Sequence, residues 1–300
     1  MACPSLARLL ATEEVVGVVS QPDRPSGRHL QPKPCAVKTL AEERGLFRLS
    51  PVNVNDSASV AALAGLAPEL IVVVAFGQIL KEQLLRLPPR GCVNVHASLL
   101  PKYRGAAPIQ WALANGETVT GVTTMYMDRR LDAGDIILQS EVAIAPEDTS
   151  GTLHDRLAQV GADLLARTVA LLRAGQAPRQ PQNEAEATLA PLLRKADGRI
   201  DWTMAAERIC HRVRAFNPWP GCTAGVGGGR TLRIWGARPE RGGAGTAPPG
   251  QILETGAEGP LVAAGSGAVR LREVQPEGGR PMSGAAFLRG HKLQAGDRLE

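Results

Sequence analysis

Short apolar runs alternate with amphipathic segments through the first half of the chain, and this alternation limits the folds open to it. The runs at 14–20 and 69–76 are almost continuously apolar, as expected of strands buried on both faces, and a further short strand is predicted over 91–96. Segments with helical spacing lie between them, and the longest helix is predicted over 152–172. Strands that alternate with helices predict an α/β fold with a doubly wound parallel sheet.

The pattern changes beyond about residue 199. Residues 174–190 are polar and include Pro and Gln, which predicts a linker. After one helix predicted over 204–216, the chain is Gly-rich, with short runs typical of strands at 231–235, 250–253, 260–264 and 268–274. Several short strands separated by turns predict a small β-barrel.

Composition sets further limits. The chain has 300 residues, which suits two domains, and a net charge of +5, which favours an anionic partner. Its five cysteines include no CxxC pair, so we expect neither a disulfide framework nor a zinc site, and a reducing cytoplasmic location. The apolar runs are too short to span a bilayer and no secretion signal is visible, so no membrane association is expected.

The stretch GCVNVHASLLPKYRG, residues 91–105, carries the candidate chemistry. Asn94 and His96 lie two apart in a predicted strand, so both face one side, near the carboxyl end where open parallel sheets bind ligands. An amide donor and an imidazole suit acyl transfer, in which one group holds an oxyanion and the other moves a proton. On spacing alone, such a pair more often caps or anchors the following loop.

Two motifs then indicate a family. The pattern N-x-H-x-S-L-L-P-x-x-R-G, followed by L-D-x-G-D, resembles the enzymes that use 10-formyltetrahydrofolate. The resemblance is narrower to members whose acceptor is methionyl initiator tRNA, and it is carried by QPDRPSGR at 21–28, VNVHASLLPKYRGAAPIQ at 93–110, LDAGDII at 131–137, and DGRIDW with RAFNPWPG at 197–202 and 214–221. It implies transfer of a formyl group from 10-formyltetrahydrofolate to the methionine amine on that tRNA, for translation initiation.

The resemblance also implies a domain plan. A Rossmann-like catalytic domain is expected over 1–178, a linker over 179–196, and an OB-like barrel that binds tRNA over 197–300. The family begins with an apolar strand and a Gly-Thr loop before the helix that matches 4–11, and no such strand stands before that helix here. In a doubly wound sheet the first strand is central, so its neighbours are expected to be left unpaired.

Site roles follow from the same resemblance. Asn94 is expected to donate to the oxyanion formed when the substrate amine attacks the formyl carbon, and His96 to stabilise that oxygen or carry the proton. Asp132 is expected to pair with His96; without the motif it would be read as a turn residue before Gly134. No metal is expected. The folate pocket is expected to be formed by Phe76, Gly77, Ile79, Ser98, Leu99, Leu100 and Pro101, although Phe76 fits a plain core residue equally well.

The basic, Pro-rich segment 21–34 is the candidate tRNA contact. It contains Arg28 and Lys33, with Lys38 close behind, although such loops are usually solvated surface. A second departure from the family lies in the Asp132 loop, where Arg130 stands at a position that commonly holds Gly; a positive φ there would be strained. A monomer is expected. Two alternatives stay open: a folate-dependent formyltransferase with another amine acceptor, and a truncated, non-catalytic tRNA-binding relative.

Overall fold

A computed structural model describes residues 1–26, 31–240, 245–291 and 293–300. The described chain divides into two compact units. The first comprises Met1–Pro108, Val119–Ala143 and His154–Pro191, and the second comprises Ile109–Thr118, Ile144–Leu153 and Leu192–Glu300.

The helices are α1 (Ala2–Leu10), α2 (Ala36–Glu43), α3 (Ser57–Gly65), α4 (Glu82–Leu85), α5 (Pro108–Ala114), α6 (Ser150–Arg173), α7 (Ala206–Ala215) and α8 (Gly284–Gly290), with 3₁₀ turns at Glu184–Glu186 and Lys195–Gly198. The strands of the first unit are β1 (Val18–Val19), β2 (Arg24–Ser26), β3 (Gln31–Lys33), β4 (Arg48–Leu49), β5 (Ile71–Val73), β6 (Cys92–His96), β7 (Arg104–Gly105), β8 (Val119–Tyr126), β9 (Ile136–Ala143) and β10 (Leu189–Ala190). Those of the second are β11 (Cys222–Val226), β12 (Arg230–Glu240), β13 (Ile252–Gly256), β14 (Gly259–Ala263), β15 (Ala268–Pro276) and β16 (Met282–Ser283).

The main sheet of the first unit has the order β5-β6-β8-β9. β5 and β6 are parallel, but β6 with β8 and β8 with β9 are antiparallel. The expectation of a parallel sheet throughout is therefore corrected: the fold is α/β, and this sheet is mixed. The reason lies in the connection between β8 and β9, residues 127–135, which is too short for the crossover that a parallel pair requires.

Beside this sheet, β1 pairs in parallel with β4, with Val18 opposite Arg48 and Val19 opposite Leu49. Among the described residues, β1 and β5 belong to separate sheets, and both strands line a cavity of about 1370 Å³ that also touches α1 and α6. The core below β5 and β6 is apolar and includes Val54, Val60, Leu63, Leu84 and Cys92. β6 is thus held by buried neighbours, which fixes the position of its polar side chains.

The helix α3 shows how local sequence sets one of these elements. The Asp56 side chain caps its first turn by accepting from the backbone N–H of Ser59 at 2.6 Å. This hydrogen bond lowers the pKa of the Asp56 carboxyl, because it favours the charged acceptor. Val60 and Leu63 lie three apart and are both buried in the core, so the cap and the apolar spacing specify one helix face.

The basic segment forms a short antiparallel ribbon of β2 and β3, with Arg24 opposite Lys33. Arg28 lies outside the described residues, as do its neighbours in 27–30. Residues 180–190, within the predicted linker, lie in the first unit, where β10 pairs with β7.

The second unit has one antiparallel sheet of order β11-β12-β15-β14-β13, with β16 paired to β15. All four short runs expected to be strands lie at least partly in β12–β15, and the predicted helix over 204–216 contains α7.

Phe216, which follows α7, is fully buried and meets the Trp111 ring edge-on, with centroids 6.3 Å apart. Searched over the residues that the structure describes, no helix has both the length and the apolar character needed to cross a bilayer.

Candidate active site

Asn94 and His96 lie on β6, a strand that is buried from end to end. They alternate with Val93 and Val95, which are 0% and 4% exposed, so the two polar side chains share one face of the sheet. Asn94 and His96 retain 8% and 6% exposure. The strand therefore presents an amide and an imidazole side by side in a sheltered setting.

Asp132 reaches both groups from the loop between β8 and β9. Its Oδ1 lies 3.4 Å from Asn94 Nδ2, and its Oδ2 lies 3.7 Å from His96 Nδ1. The backbone N–H of Gly105 also donates to Oδ2, at 2.9 Å. The three candidate catalytic side chains thus converge, although their catalytic roles stay predictions.

The Asp132 backbone is left-handed, with φ +48°. Asp and Asn adopt this conformation more readily than other non-glycine residues, because their short polar side chains bond locally. The loop takes its left-handed turn at Asp132 and not at Arg130, so the strain expected at Arg130 does not arise. Arg130 instead donates to Asp128 and to the carbonyl of Ala133, and so ties the loop to itself.

His96 is oriented from both sides. Its Nε2 lies 2.8 Å from the carbonyl oxygen of Tyr103. Because a carbonyl can only accept, Nε2 carries a proton. Nδ1 then faces the Asp132 carboxylate, so a second proton on the ring would lie next to a negative charge. This arrangement suits a group that accepts and releases a proton during a reaction.

The segment Ser98–Pro101 forms a tight turn that is held largely by its own chain and by β8. Ser98 is fully buried, and its hydroxyl donates to the carbonyl of Lys102 at 2.6 Å. Thr123 on β8 accepts from the N–H of Leu100 and donates to the carbonyl of Ser98. The Leu99 side chain lies against Gly121, where a Cβ would approach its Cδ2 to 2.5 Å. These contacts shape the turn, while the predicted folate contacts of Ser98, Leu99, Leu100 and Pro101 stay predictions.

The segment after β5 lies at the same edge, since Val73 is opposite Asn94 in the parallel pair. Phe76 is half-buried against the core, and its carbonyl accepts from Gln21 Nε2 at 2.9 Å. Gly77 has φ +78°, and Ile79 is 77% exposed. The turn therefore leaves a large apolar side chain, that of Ile79, in solvent.

Family models cover most of the chain. The formyl transferase model matches residues 7–169, and the model for the formyl transferase C-terminal domain matches residues 192–292. The chain belongs to the formyl transferase family. The resemblance carried by the sequence motifs is thereby confirmed.

Individual relatives extend the comparison. The chain is 47% identical over 299 residues to the methionyl-tRNA formyltransferase of Geobacter sulfurreducens, covering 99% of this chain and 93% of that protein. Its structure resembles an N-formyltransferase from Helicobacter canadensis in complex with folinic acid and dTDP-3-aminofucose, with a TM-score of 0.65, 18% identity, and coverage of 89% and 93%. It also resembles HypX from Aquifex aeolicus in complex with tetrahydrofolic acid, with a TM-score of 0.59 and 20% identity; 82% of this chain matches, but only 43% of HypX.

The other predicted site residues of this formyl transferase are basic. Lys33 is exposed at the end of β3, and Lys38 is half-buried, with its Nζ 2.7 Å from Asp23 Oδ1. The charge of Lys38 is therefore paired within the protein. Arg28 cannot be placed, because it lies outside the described residues.

Sequence reasoning missed several groups that shape the formyl transferase site. Thr123 is one; it stands beside Thr124 on a buried strand, and the sequence does not distinguish the two. Arg104, the arginine of the R-G pair in the first motif, is another, and it is only 7% exposed. Gln182 was hidden in a segment read as a linker, yet its amide contacts the Asp132 loop. Nothing in the local sequence marks Gln182 out.

Cysteine plays no visible part in the site. Burial raises the pKa of the Cys92 thiol to about 12, and the same holds for Cys210 and Cys222. In the described part of the chain, no three His, Cys, Asp or Glu side chains are grouped so as to hold a metal. The expectation that the reaction needs no metal stays a prediction.

Proposed function

We propose that this chain transfers a formyl group from 10-formyltetrahydrofolate to the amino group of methionyl initiator tRNA. The observation that carries the proposal is the convergence of Asn94, His96 and Asp132. Similarity to the Geobacter sulfurreducens enzyme over 99% of the chain supports the acceptor. The sugar-acting neighbour is similar in fold only, at 18% identity, so it does not favour a sugar amine.

Asn94 is proposed to hold the developing oxyanion. When an amine attacks a formyl carbon, the carbonyl oxygen gains negative charge, and a fixed N–H donor stabilises it most in a sheltered site. The Asn94 amide lies on a buried strand, and its Nδ2 donates to Asp132 Oδ1 over a long 3.4 Å. A donor with so long a hydrogen bond can turn toward a substrate oxygen and lose little hydrogen-bond energy.

His96 is proposed to move the proton that the attacking amine must lose. The carbonyl of Tyr103 fixes the ring through Nε2, and Asp132 faces Nδ1. A ring held in this way accepts a proton beside a carboxylate and returns it to the departing nitrogen of the donor. Asp132 acts on both groups, since its two oxygens face Asn94 and His96 respectively.

The donor is proposed to bind along the turn after β5 and the SLLP turn. The exposed Ile79 and the half-buried Leu99 offer apolar surface to a flat ring system, and Phe76, Gly77, Ser98, Leu100 and Pro101 shape the backbone between them. Apolar side chains and fixed backbone groups of this kind suit the binding of such a ring.

The tRNA is proposed to contact the basic ribbon and the second unit. Lys33 is exposed and suits a phosphate, whereas Lys38 would first have to leave Asp23. Arg28 and Lys33 together with the +5 net charge support a salt-dependent complex. The antiparallel order β11-β12-β15-β14-β13, with β16 paired to β15, supports an OB-like barrel over 197–300. The proposal also keeps a catalytic domain over 1–178 and a linker over 179–196. A cytoplasmic monomer completes this proposal.

The sheet is proposed to take one further strand between β1 and β5. Both strands line the same cavity of about 1370 Å³, which exceeds an ordinary ligand pocket. A strand there would join the β1-β4 pair to the main sheet. Fusing an apolar strand-forming segment to Met1 should then raise Tm, and a Tm equal to that of a matched polar extension would contradict this.

The function is tested by incubating the purified full chain with 10-formyltetrahydrofolate and aminoacylated tRNA. Formylmethionine should form on methionyl initiator tRNA, and only with the folate present. Elongator methionyl-tRNA and a nucleotide-linked amino sugar serve as alternative acceptors. Preferred formylation of the sugar would mean that the same formyl transfer serves another acceptor. A folded chain that formylates neither methionyl initiator tRNA nor the sugar would contradict the proposal.

A further inference from the structure

Residues 180–190 lie alongside both loops that build the candidate site. Gln180 exchanges two backbone hydrogen bonds with Ile136, of 2.8 and 3.1 Å, just after the Asp132 loop. At the other end of the segment, Leu189 and Ala190 pair with Arg104 and Gly105. Because residues 180–190 are fixed at both ends in this way, the side chains between those ends are held next to the Asp132 loop.

The Gln182 side chain connects the two loops through all of its polar groups. Its Oε1 accepts from Arg104 Nε at 3.0 Å and from Arg104 Nη2 at 2.8 Å. Its Nε2 donates to the carbonyl oxygens of Asp132 at 2.9 Å and of Gly134 at 2.8 Å. Because an arginine only donates and a carbonyl only accepts, the amide can be oriented in one way only.

The carbonyls that Gln182 holds belong to the turn that aims the Asp132 carboxylate. Asp132 is left-handed, at φ +48°, a conformation that costs a non-glycine residue free energy unless its surroundings hold it. Its own side chain contributes through the Gly105 N–H. The amide of Gln182 contributes from the backbone side, through the carbonyl oxygens of the two residues on either side of Ala133.

Arg104 fixes the other end of the Gln182 amide, at its Oε1. It is 7% exposed, and its Nη1 donates to Glu184 Oε2 at 2.8 Å. The Arg104 guanidinium, with Arg130 adding its charge, lowers the pKa of the Glu184 carboxyl. The arginine is therefore neutralised within the segment and held where its fork meets Gln182.

We propose that Gln182 is a positioning residue for the formyl transfer, which sets the Asp132 carboxylate toward Asn94 and His96 by holding the Asp132 and Gly134 carbonyls. This inference rests on the proposed function. The role requires an amide that donates to the two carbonyls. A side chain that only accepts from Arg104 would not fill it.

Two substitutions separate these readings. Gln182→Ala removes both the acceptor for Arg104 and the donor to the Asp132 and Gly134 carbonyls. Gln182→Glu keeps the acceptors for Arg104 but turns a carboxylate oxygen toward the two carbonyls. We expect both variants to lower kcat about 10- to 100-fold, with KM for folate and tRNA changed far less, since a misplaced catalytic group costs this much. Gln180→Ala is the matched control, because that side chain is exposed and lies outside the network.

The double variant tests the route through Asp132. In an Asp132→Asn background, removing Gln182 should change kcat by less than about threefold, since the carboxylate that it positions is already gone. A wild-type kcat in Gln182→Glu, or an equal loss in both backgrounds, would overturn the inference. Absence of formyl transfer by the unsubstituted chain would instead count against the proposed function.

Discussion

Asp132 carries two tasks in different parts of one residue. Its carboxylate lies between Asn94 and His96, while its backbone makes a left-handed turn. The LDAGD motif marks Asp132 in the sequence but does not distinguish these two tasks. The turn is set by the Gln182 amide and the Gly105 N–H, which are distant in sequence.

Two substitutions separate charge from backbone at Asp132. Asp132→Asn keeps an acceptor for Gly105 and tolerates φ +48°, so its Tm should stay near that of wild type while kcat falls at least about 100-fold. Asp132→Ala should lose activity similarly and about 1 kcal/mol of stability as well, because alanine is strained there. The checks are steady-state kinetics and thermal unfolding. A wild-type kcat in Asp132→Asn would mean that the charge has no part in the reaction.

Among the elements, those whose pattern is local were predictable and those set by distant partners were not. The alternation of β6 predicted that Asn94 and His96 share a face, and the helical spacing over 152–172 predicted most of α6. The antiparallel placement of β8 and β9, and the pairing of β10 with β7, depend on partners elsewhere in the chain. A polar segment such as 180–190 has no periodicity from which such pairing could be predicted.

The helix α7 contains a titratable contact. His211 packs on Gly116, where a Cβ would come within 2.6 Å of its Cε1. Burial lowers the pKa of His211 below its ordinary value of 6.5, the charge of Arg214 lowers it further, and Glu207 opposes both. A lowered folded-state pKa gives stability that is present above pH 6.5 and is lost as pH falls through the folded value.

The Tm of the wild-type chain should therefore decrease as the pH is lowered from 7 to 5. His211→Gln should make this decrease smaller by about 1–3 °C. Differential scanning calorimetry of both chains over that range is the measurement. An identical pH dependence in the two chains would show that His211 does not contribute.

At the scale of the whole molecule, the cysteines report on packing in both units. Cys92 lies in the first unit, and Cys210 and Cys222 lie in the second; burial raises the pKa of each thiol to about 12. Cys35 is exposed and Cys3 is half-buried. The sequence, with five cysteines and no CxxC pair, predicted no disulfide framework, and all five cysteines are free thiols in the structure.

A thiol reagent at pH 8 should accordingly label Cys35 and Cys3 in the native chain, and the other three only on unfolding, since thiolate is the reactive form. Peptide mapping by mass spectrometry identifies the labelled sites. Rapid native labelling of Cys210 or Cys222 would show that the second unit is less tightly packed than described.

The central claim is that one sheltered cluster, built on β6, performs formyl transfer. It is tested most directly by kcat/KM for methionyl initiator tRNA in Asn94→Ala, since Asn94 supplies the oxyanion donor. We predict a loss of about 100- to 1000-fold with an unchanged Tm, the range seen when one such donor is removed. A kcat/KM equal to that of wild type in a folded Asn94→Ala chain would contradict the account.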